Sequence, residues 1–244
     1  MKIAAVIPAR YNSARFRGKP LVKIKGISMI ERVYLQVKKS GRFSHIIVAT
    51  DDQRILNEVH RFGGQAILTS EAHCSGTDRL WEVLEKSDFD AAVNIQGDEP
   101  AAPEKLIADL FDELATGKHK VVTAAYFNTS KEDFLSENVV KVVFDKYFNA
   151  LYFSRSPLPY TKDKDFKGFF QHIGIYGYLK SALESFVAFP GSRLEEKEKL
   201  EQLRFLENGI PIKIIETEEK SYGVDVPEDV KKIENLLNKE IKNG

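Results

Sequence analysis

Residues 3–20 read IAAVIPARYNSARFRGKP, and the order of events within them decides the fold class. The nearly continuous apolar run at 3–7 is what a strand buried on both faces requires. It empties into a loop holding Arg10, Ser13, Arg15, Gly18 and Lys19, with Arg17 as an extra cation. In parallel α/β sheets, ligands sit at the loops leaving the C-terminal ends of strands, so cations, a hydroxyl and a glycine there suit a triphosphate. A solvated basic loop would account for the same residues more simply. The stretch is not the Gly-rich phosphate loop that ends in Lys-Ser/Thr, so side-chain cations must share the grip with backbone N–H groups.

Outward from this stretch, further buried-strand runs fall at 45–49, 91–95, 120–125 and 213–216. Met29, Ile30, Val33, Tyr34 and Val37 recur at helical spacing after Gly26, and Ile55, Val59 and Phe62 do so before Gly63-Gly64, a helix stop. Strand and helix alternating at such intervals predict right-handed βαβ units and a parallel sheet. From Asn138 the rhythm changes. Strands at 141–144 and 150–153 around 145–149, and another at 174–178, predict an antiparallel insert. Residues 161–167 read as an exposed loop and 231–244 as a solvated final helix with a frayed end.

With 244 residues, 43% of them hydrophobic, and no repeat or long linker, the chain reads as one large domain. Lys+Arg and Asp+Glu both total 36, which removes the basic field expected of a nucleic-acid binder. No apolar run approaches the roughly 20 residues that span a bilayer, and no cleavable apolar segment precedes the first strand. The expectation is a cytoplasmic protein without membrane insertion. Cys74 is the single cysteine, so neither an internal disulfide nor a multi-Cys zinc site is expected, and His73 beside it has no metal-ligand spacing.

Two acidic motifs follow other elements. Gln96-Gly97-Asp98-Glu99-Pro100 places a carboxylate at a strand end, with a glycine that permits close approach. Such a carboxylate suits Mg²⁺ bridging phosphate oxygens, or else simply caps the next turn. Gly223-Val224-Asp225-Val226-Pro227-Glu228-Asp229 puts proline at a first helical position with acids in the first turn. Helix entry accounts for Pro227, Glu228 and Asp229 and leaves Asp225 free.

Taken in order, Pro8-Ala9-Arg10, Gly18-Lys19-Pro20-Leu21, Ala49-Thr50-Asp51, Ser75-Gly76-Thr77, residues 94–100, Tyr152-Phe153-Ser154-Arg155, His172-Ile173-Gly174-Ile175-Tyr176, Leu200-Glu201-Gln202-Leu203-Arg204 and Gly223-Val224-Asp225 resemble the CMP-octulosonate (CMP-KDO) synthetases, the 3-deoxy-manno-octulosonate cytidylyltransferases. The resemblance runs from residue 3 to about 229. It implies an α/β, nucleotide-diphospho-sugar-transferase-like (Rossmann-like) fold: a mixed, mostly parallel sheet flanked by helices, with a smaller antiparallel insert used in sugar binding and dimerisation. On that pattern a nucleotide-binding half ends near residue 135, the insert covers about 136–222, and the metal motif and last helix follow at about 223–244. The implied reaction is Mg²⁺-dependent transfer of CMP from CTP to 3-deoxy-manno-octulosonate (KDO) for lipopolysaccharide, by a homodimer.

The resemblance also assigns roles. Ala9, Arg10, Ser13, Arg15 and Lys19 would hold the triphosphate, and Thr50, Asp51, Ser75, Gly76, Thr77 and Arg79 would surround cytosine and ribose. Gln96 would touch nucleotide or sugar. Asp98 and Asp225 would hold magnesium and, with Lys19, carry catalysis. Arg155, His172, Tyr176, Glu201 and Gln202 would form the sugar-acid site, where a guanidinium fork matches the sugar carboxylate. By residue type alone, His172 and Tyr176 also fit core positions, and Glu201 fits a solvated helical stretch over 195–207. No side-chain base stands out, so a metal-lowered hydroxyl pKa is the expected route.

Departures from the family pattern fall at Phe16-Arg17, where Leu-Pro is common, at Asp78 in place of Glu, at Gln171 in place of a basic residue, at Arg193 in place of proline, and in a short 159–171 segment. They keep open a variant acid such as an 8-amino-octulosonate or another ulosonic acid. Two further readings compete with these: a hexose-1-phosphate nucleotidyltransferase, and a nucleotide-binding protein without turnover.

Overall fold

β1 (Ile3–Ala9) is buried at every residue, as its unbroken apolar run requires. The computed structural model describes residues 1–13, 15–73, 75–162 and 166–243, with side chains as far as residue 238; Cys74 and residues 163–165 of the predicted loop lie outside the described residues. The chain divides into two compact units, Met1–Ala108 with Ser221–Gly244, and Asp109–Lys220.

In the first unit β1 is followed by a ribbon of β2 (Lys23–Ile24) and β3 (Ile27–Ser28), then α1 (Met29–Lys39), β4 (Ile46–Thr50), α2 (Gln53–Arg61), β5 (Gln65–Leu68), α3 (Gly76–Glu85), β6 (Ala91–Asn94) and the start of α4 (Glu104–Ala115). β1 pairs in parallel with β6 from Ile3↔Ala91 and with β4 from Ala5↔Ile46, and β4 pairs in parallel with β5. The loops after β1, β4 and β6 therefore leave from one end of the sheet, which is what gathers the sequence motifs. α1 buries Met29, Ile30, Val33 and Val37, and Tyr34 packs its ring 5.3 Å from Phe62. β5 was not legible in the sequence: Ile67 and Leu68 stay exposed, so no buried face marks it.

The second unit contains β7 (Val121–Asn128), α5 (Lys131–Leu135), β8 (Lys141–Phe144), β9 (Ala150–Ser154), β10 (Phe169–Leu179), α6 (Lys180–Ala188), α7 (Arg193–Glu198), α8 (Leu203–Glu207) and β11 (Ile212–Thr217). β7 lies between parallel β11 and antiparallel β10, and the predicted antiparallel insert is β8 paired with β9 and with β10. The β10 register breaks between Ile173 and Tyr176, a bulge that re-aims side chains. The single helical stretch expected over 195–207 is two helices. Lys199 adopts the left-handed conformation (φ 54°) and ends α7, so Glu201 and Gln202 fall in the turn before α8.

The last helix, α9 (Pro227–Asn243), belongs to the first unit. Val224 and Ile233 share a buried cluster with Ile24 and Met29, flanked by Phe16, Val230 and Leu237. The Asp229 carboxylate accepts from the backbone N–H groups of Asp225 (3.0 Å) and Val226 (3.2 Å), which is the helix entry read from the motif. Among the described residues no helix is long and apolar enough to cross a membrane.

Candidate active site

The first unit brings its three motifs together around Lys19. The 8–20 loop is shaped by Gly18 in the left-handed region (φ 72°), whose N–H donates to the Tyr11 carbonyl at 2.8 Å. Gly97 is needed for another reason: a Cβ there would lie 2.7 Å from the Pro8 carbonyl, so only glycine lets the loop after β6 approach the loop after β1. Lys19 Nζ donates to Asp98 Oδ2 at 2.5 Å and to the Val224 carbonyl at 2.9 Å, and it lies 3.9 Å from Asp225 Oδ1. Arg15 Nη2 donates to Asp225 Oδ1 at 2.9 Å, and Val224 N–H donates to the Asp98 carbonyl at 2.9 Å. One ammonium thus joins three loops, and Asp98 and Asp225 both turn their oxygens toward it.

Beside this cluster a cavity of about 420 Å³ is lined by the predicted Ala9, Arg10, Ser13, Arg15, Lys19, Gly76, Arg79, Gln96 and Asp98. Pro8, Asn12, Pro20 and Gly97 complete its wall, and Asn12 carried no sequence signal of its own. The predicted Thr50, Asp51, Ser75 and Thr77 support this wall and do not line it. Arg79 is fully buried and binds Asp51 Oδ2 at 2.7 Å and the Thr69 hydroxyl, a pair that would be costly to break from one side. Thr50 is buried, and its hydroxyl accepts from Asp52 N–H at 3.2 Å. Ser75 forms a capping box with Asp78, and Thr77 is buried in the first turn of α3. The Asp78 carboxylate closes the helix start as a glutamate there would, so the box does not account for that departure.

Glu99, beside Asp98, is a desolvated acid to which the sequence motif assigned no role. Desolvation pushes its carboxyl up to about 7; the Ser221 hydroxyl, which it accepts, opposes this, and the like charges of Asp98 and Asp225 add to it. Its only signal was adjacency to Asp98.

In the second unit, His172 Nε2 lies 3.1 Å from Thr123 Oγ1, edge-on to Phe153 and 5.3 Å ring to ring from Tyr176. Part of the residue reaches the surface, yet desolvation holds its imidazole down to about 3, so the ring is neutral near pH 7. Tyr176 is buried, and desolvation drives its phenol well above the ordinary value. Gln202 Nε2 is buried with no hydrogen-bond partner among the described residues, and Tyr176 Oη, also buried, makes no hydrogen bond of good geometry, with the Thr123 hydroxyl as a near polar neighbour. Glu201 lies close enough to Tyr176 to contribute to that shift. Arg155 is pinned by its own bonds: Nε donates to the Glu198 carbonyl and Nη1 to the Glu137 carbonyl, each at 2.9 Å. Gln171 is spent elsewhere, its side-chain Oε1 accepting from Tyr126 Oη (2.7 Å) and Asn128 Nδ2 (2.8 Å). Successive strand residues point to opposite faces, so Gln171 and His172 do not share one.

A family model for cytidylyltransferases matches residues 4–233. A 3-deoxy-manno-octulosonate cytidylyltransferase from Thermodesulfovibrio yellowstonii is 47% identical, covering 98% of this chain and 99% of that protein. The chain belongs to the cytidylyltransferase family, among the 3-deoxy-manno-octulosonate cytidylyltransferases. A cytidylyltransferase of the same description from Fusobacterium nucleatum is 46% identical over 97% of both chains. A solved CMP:2-keto-3-deoxy-manno-octonic acid synthetase, complexed with CTP, superposes with a TM-score of 0.94 at 38% identity, covering 98% of this chain and all of that one. A 4-diphosphocytidyl-2C-methyl-D-erythritol synthase from Anaerococcus prevotii shares the fold (TM-score 0.64, 16% identity, 97% and 98% coverage). For a cytidylyltransferase the cavity beside Lys19 has the expected character: cationic, local, and at the strand ends.

Proposed function

We propose that this chain transfers CMP from CTP to 3-deoxy-manno-octulosonate, releasing pyrophosphate and giving an activated sugar for lipopolysaccharide. The observation that carries the reading is Lys19, held between Asp98 and the Val224 carbonyl at the edge of a cavity walled by Arg10 and Arg15. The anomeric hydroxyl of the sugar attacks the α-phosphorus, and the bond to the bridging oxygen of the departing pyrophosphate breaks in line. Arg10, Arg15 and Lys19 bind and neutralise the phosphates, and catalysis is positioning plus charge stabilisation.

Asp98 and Asp225 fit magnesium. Both are hard oxygen donors facing one cation; among the described residues no group of three or more His, Cys, Asp or Glu gathers here or elsewhere, so the two carboxylates would need ligands from outside the protein to complete a shell. Two carboxylates with phosphate oxygens and waters completing the shell is the usual magnesium arrangement. When bound there, magnesium would neutralise phosphate oxygens and lower the pKa of the sugar hydroxyl.

The orphaned Gln202 amide and the poorly paired Tyr176 hydroxyl support a polyhydroxyl ligand in the second unit, because buried polar groups without well-formed hydrogen bonds are rare and unfavourable. Neutral His172 accepts or donates a hydrogen bond there, and Arg155 takes the carboxylate. Cytoplasmic location and a homodimer complete the proposal. The exposed Tyr147 and Leu151, at the β8–β9 hairpin, are apolar surface of the kind a second copy covers. The deciding experiment is pyrophosphate release with CTP and Mg²⁺ over a panel of sugar acids, including octulosonates altered at C8. The unmodified octulosonate should give the highest kcat/KM, and comparable turnover with ATP in place of CTP would overturn the nucleotide assignment.

A further inference from the structure

Arg155 is fixed far more firmly than a flexible surface arginine. Its backbone N–H donates to Glu198 Oε2 at 2.9 Å, and its backbone carbonyl accepts from Lys141 Nζ at 2.8 Å. Its Nε and Nη1 are tied to the carbonyls of Glu198 and Glu137. Glu198 also accepts from the Ser154 hydroxyl at 2.6 Å with Oε1, so its carboxylate holds two successive residues at the end of β9.

Lys141 is fully buried, yet its ammonium faces carbonyls instead of a carboxylate. Its Nζ donates to Ser136 O (2.6 Å), Val139 O (2.8 Å) and Arg155 O (2.8 Å), which uses all three of its protons. A buried lysine spent on three carbonyls fixes the path of the 136–139 backbone against residue 155. That same backbone supplies the Glu137 carbonyl that anchors Nη1. With Nε and one Nη1 proton committed, what remains for a carboxylate is Nη2 and the second proton of Nη1.

We infer that Glu198 and Lys141 are positioning residues for sugar-acid recognition: together they set where the terminal edge of Arg155 points. The inference rests on the proposed role of Arg155 in gripping the sugar carboxylate. Neither residue touches substrate in this account; both act through Arg155.

Steady-state pyrophosphate release by the full chain with CTP, Mg²⁺ and 3-deoxy-manno-octulosonate tests it, using Glu198→Ala, Glu198→Gln, Arg155→Ala and the Glu198→Ala/Arg155→Ala double variant. Glu198→Ala should raise KM for the sugar acid about tenfold while KM for CTP stays within about twofold, a coupling typical of residues in one hydrogen-bond network. Glu198→Gln should recover most of the loss, because it keeps an acceptor oxygen. In the Arg155→Ala background, Glu198→Ala should change the sugar KM by less than about twofold. Lys141→Met should move the sugar KM in the same direction as Glu198→Ala. An unchanged sugar KM in Glu198→Ala overturns the inference, as does an equal rise in both backgrounds, or a parallel loss of both KM values and thermal stability. If Arg155→Ala alone leaves the sugar KM unchanged, the role of Arg155 itself has failed, and that variant shows it separately.

Discussion

The two units handle polar groups in opposite ways. In the first, Lys19 lies between Asp98, Asp225 and the Val224 carbonyl, and Arg15 takes the remaining reach of Asp225. In the second, the Gln202 amide is buried without a partner among the described residues, the buried Tyr176 hydroxyl makes no hydrogen bond of good geometry, and His172 is kept neutral by desolvation. The first arrangement suits a highly charged ligand: the cations and carboxylates are already in place and exchange partners when phosphates and metal enter. The second suits the hydroxyls of a sugar acid whose single charge falls to Arg155, because hydrogen-bonding capacity has been desolvated in advance and the ligand restores it.

The largest expected effect tests the charged half. Asp98→Asn and Asp225→Asn keep size and remove charge, and each should lower turnover by about 10²–10³-fold with a smaller change in CTP affinity, as when comparable electrostatic stabilisers are lost. Single-turnover kinetics at saturating CTP is the check. Near-normal turnover by Asp225→Asn would reduce that residue to helix entry and leave the first unit with one working carboxylate.

Tyr176→Phe tests the uncharged half. Removing a buried hydroxyl that makes no well-formed hydrogen bond should leave stability unchanged or raise it by up to about 1 kcal/mol, while weakening sugar use by about tenfold, the usual value of one hydrogen bond. Thermal melts and sugar KM read the two effects. A clear loss of stability would mean that the hydroxyl is satisfied in the free protein and that the contrast between the units is false.

The smallest effect concerns pH. The unfolded chain binds a proton on His172 below its ordinary value near 6.5, whereas the folded chain resists doing so down to about 3. More protons on the unfolded state mean that stability falls as pH drops through that window. His172→Asn removes the group, so the decrease in melting temperature between pH 7 and pH 5 should be smaller in the variant. An equal decrease would place the imidazole in contact with water.

The sequence makes the two halves unequally legible for the same physical reason. Arg15, Lys19, Asp98 and Asp225 stand beside strand ends and glycines, where local pattern already implies ligand chemistry. Thr50 and Ser75 lie in equally suggestive motifs, yet their hydroxyls close turns and helix starts, a use that sequence spacing does not separate from ligand contact. The edge strand β5 and the break at Lys199 left no hydrophobic period to read. Lys141 matters through the backbone carbonyls its ammonium donates to, and Glu198 through a carboxylate that accepts from a backbone N–H and a carbonyl that accepts from Arg155; backbone groups have no signature in the amino-acid alphabet.

The bond from Lys19 to the Val224 carbonyl spans 205 positions of sequence. On a ribosome making the chain from its N-terminus, the whole second unit is synthesised before the residues that complete the first. β1 and its loop can form early, but Ile24 and Met29 wait for Val224 and Ile233 to cover them. Contacts so distant in sequence close late and slowly. A nascent or truncated chain that stops short of residue 224 therefore carries the cationic loop with Asp98 but without Asp225 and the Val224 carbonyl, and competence for chemistry waits for those residues.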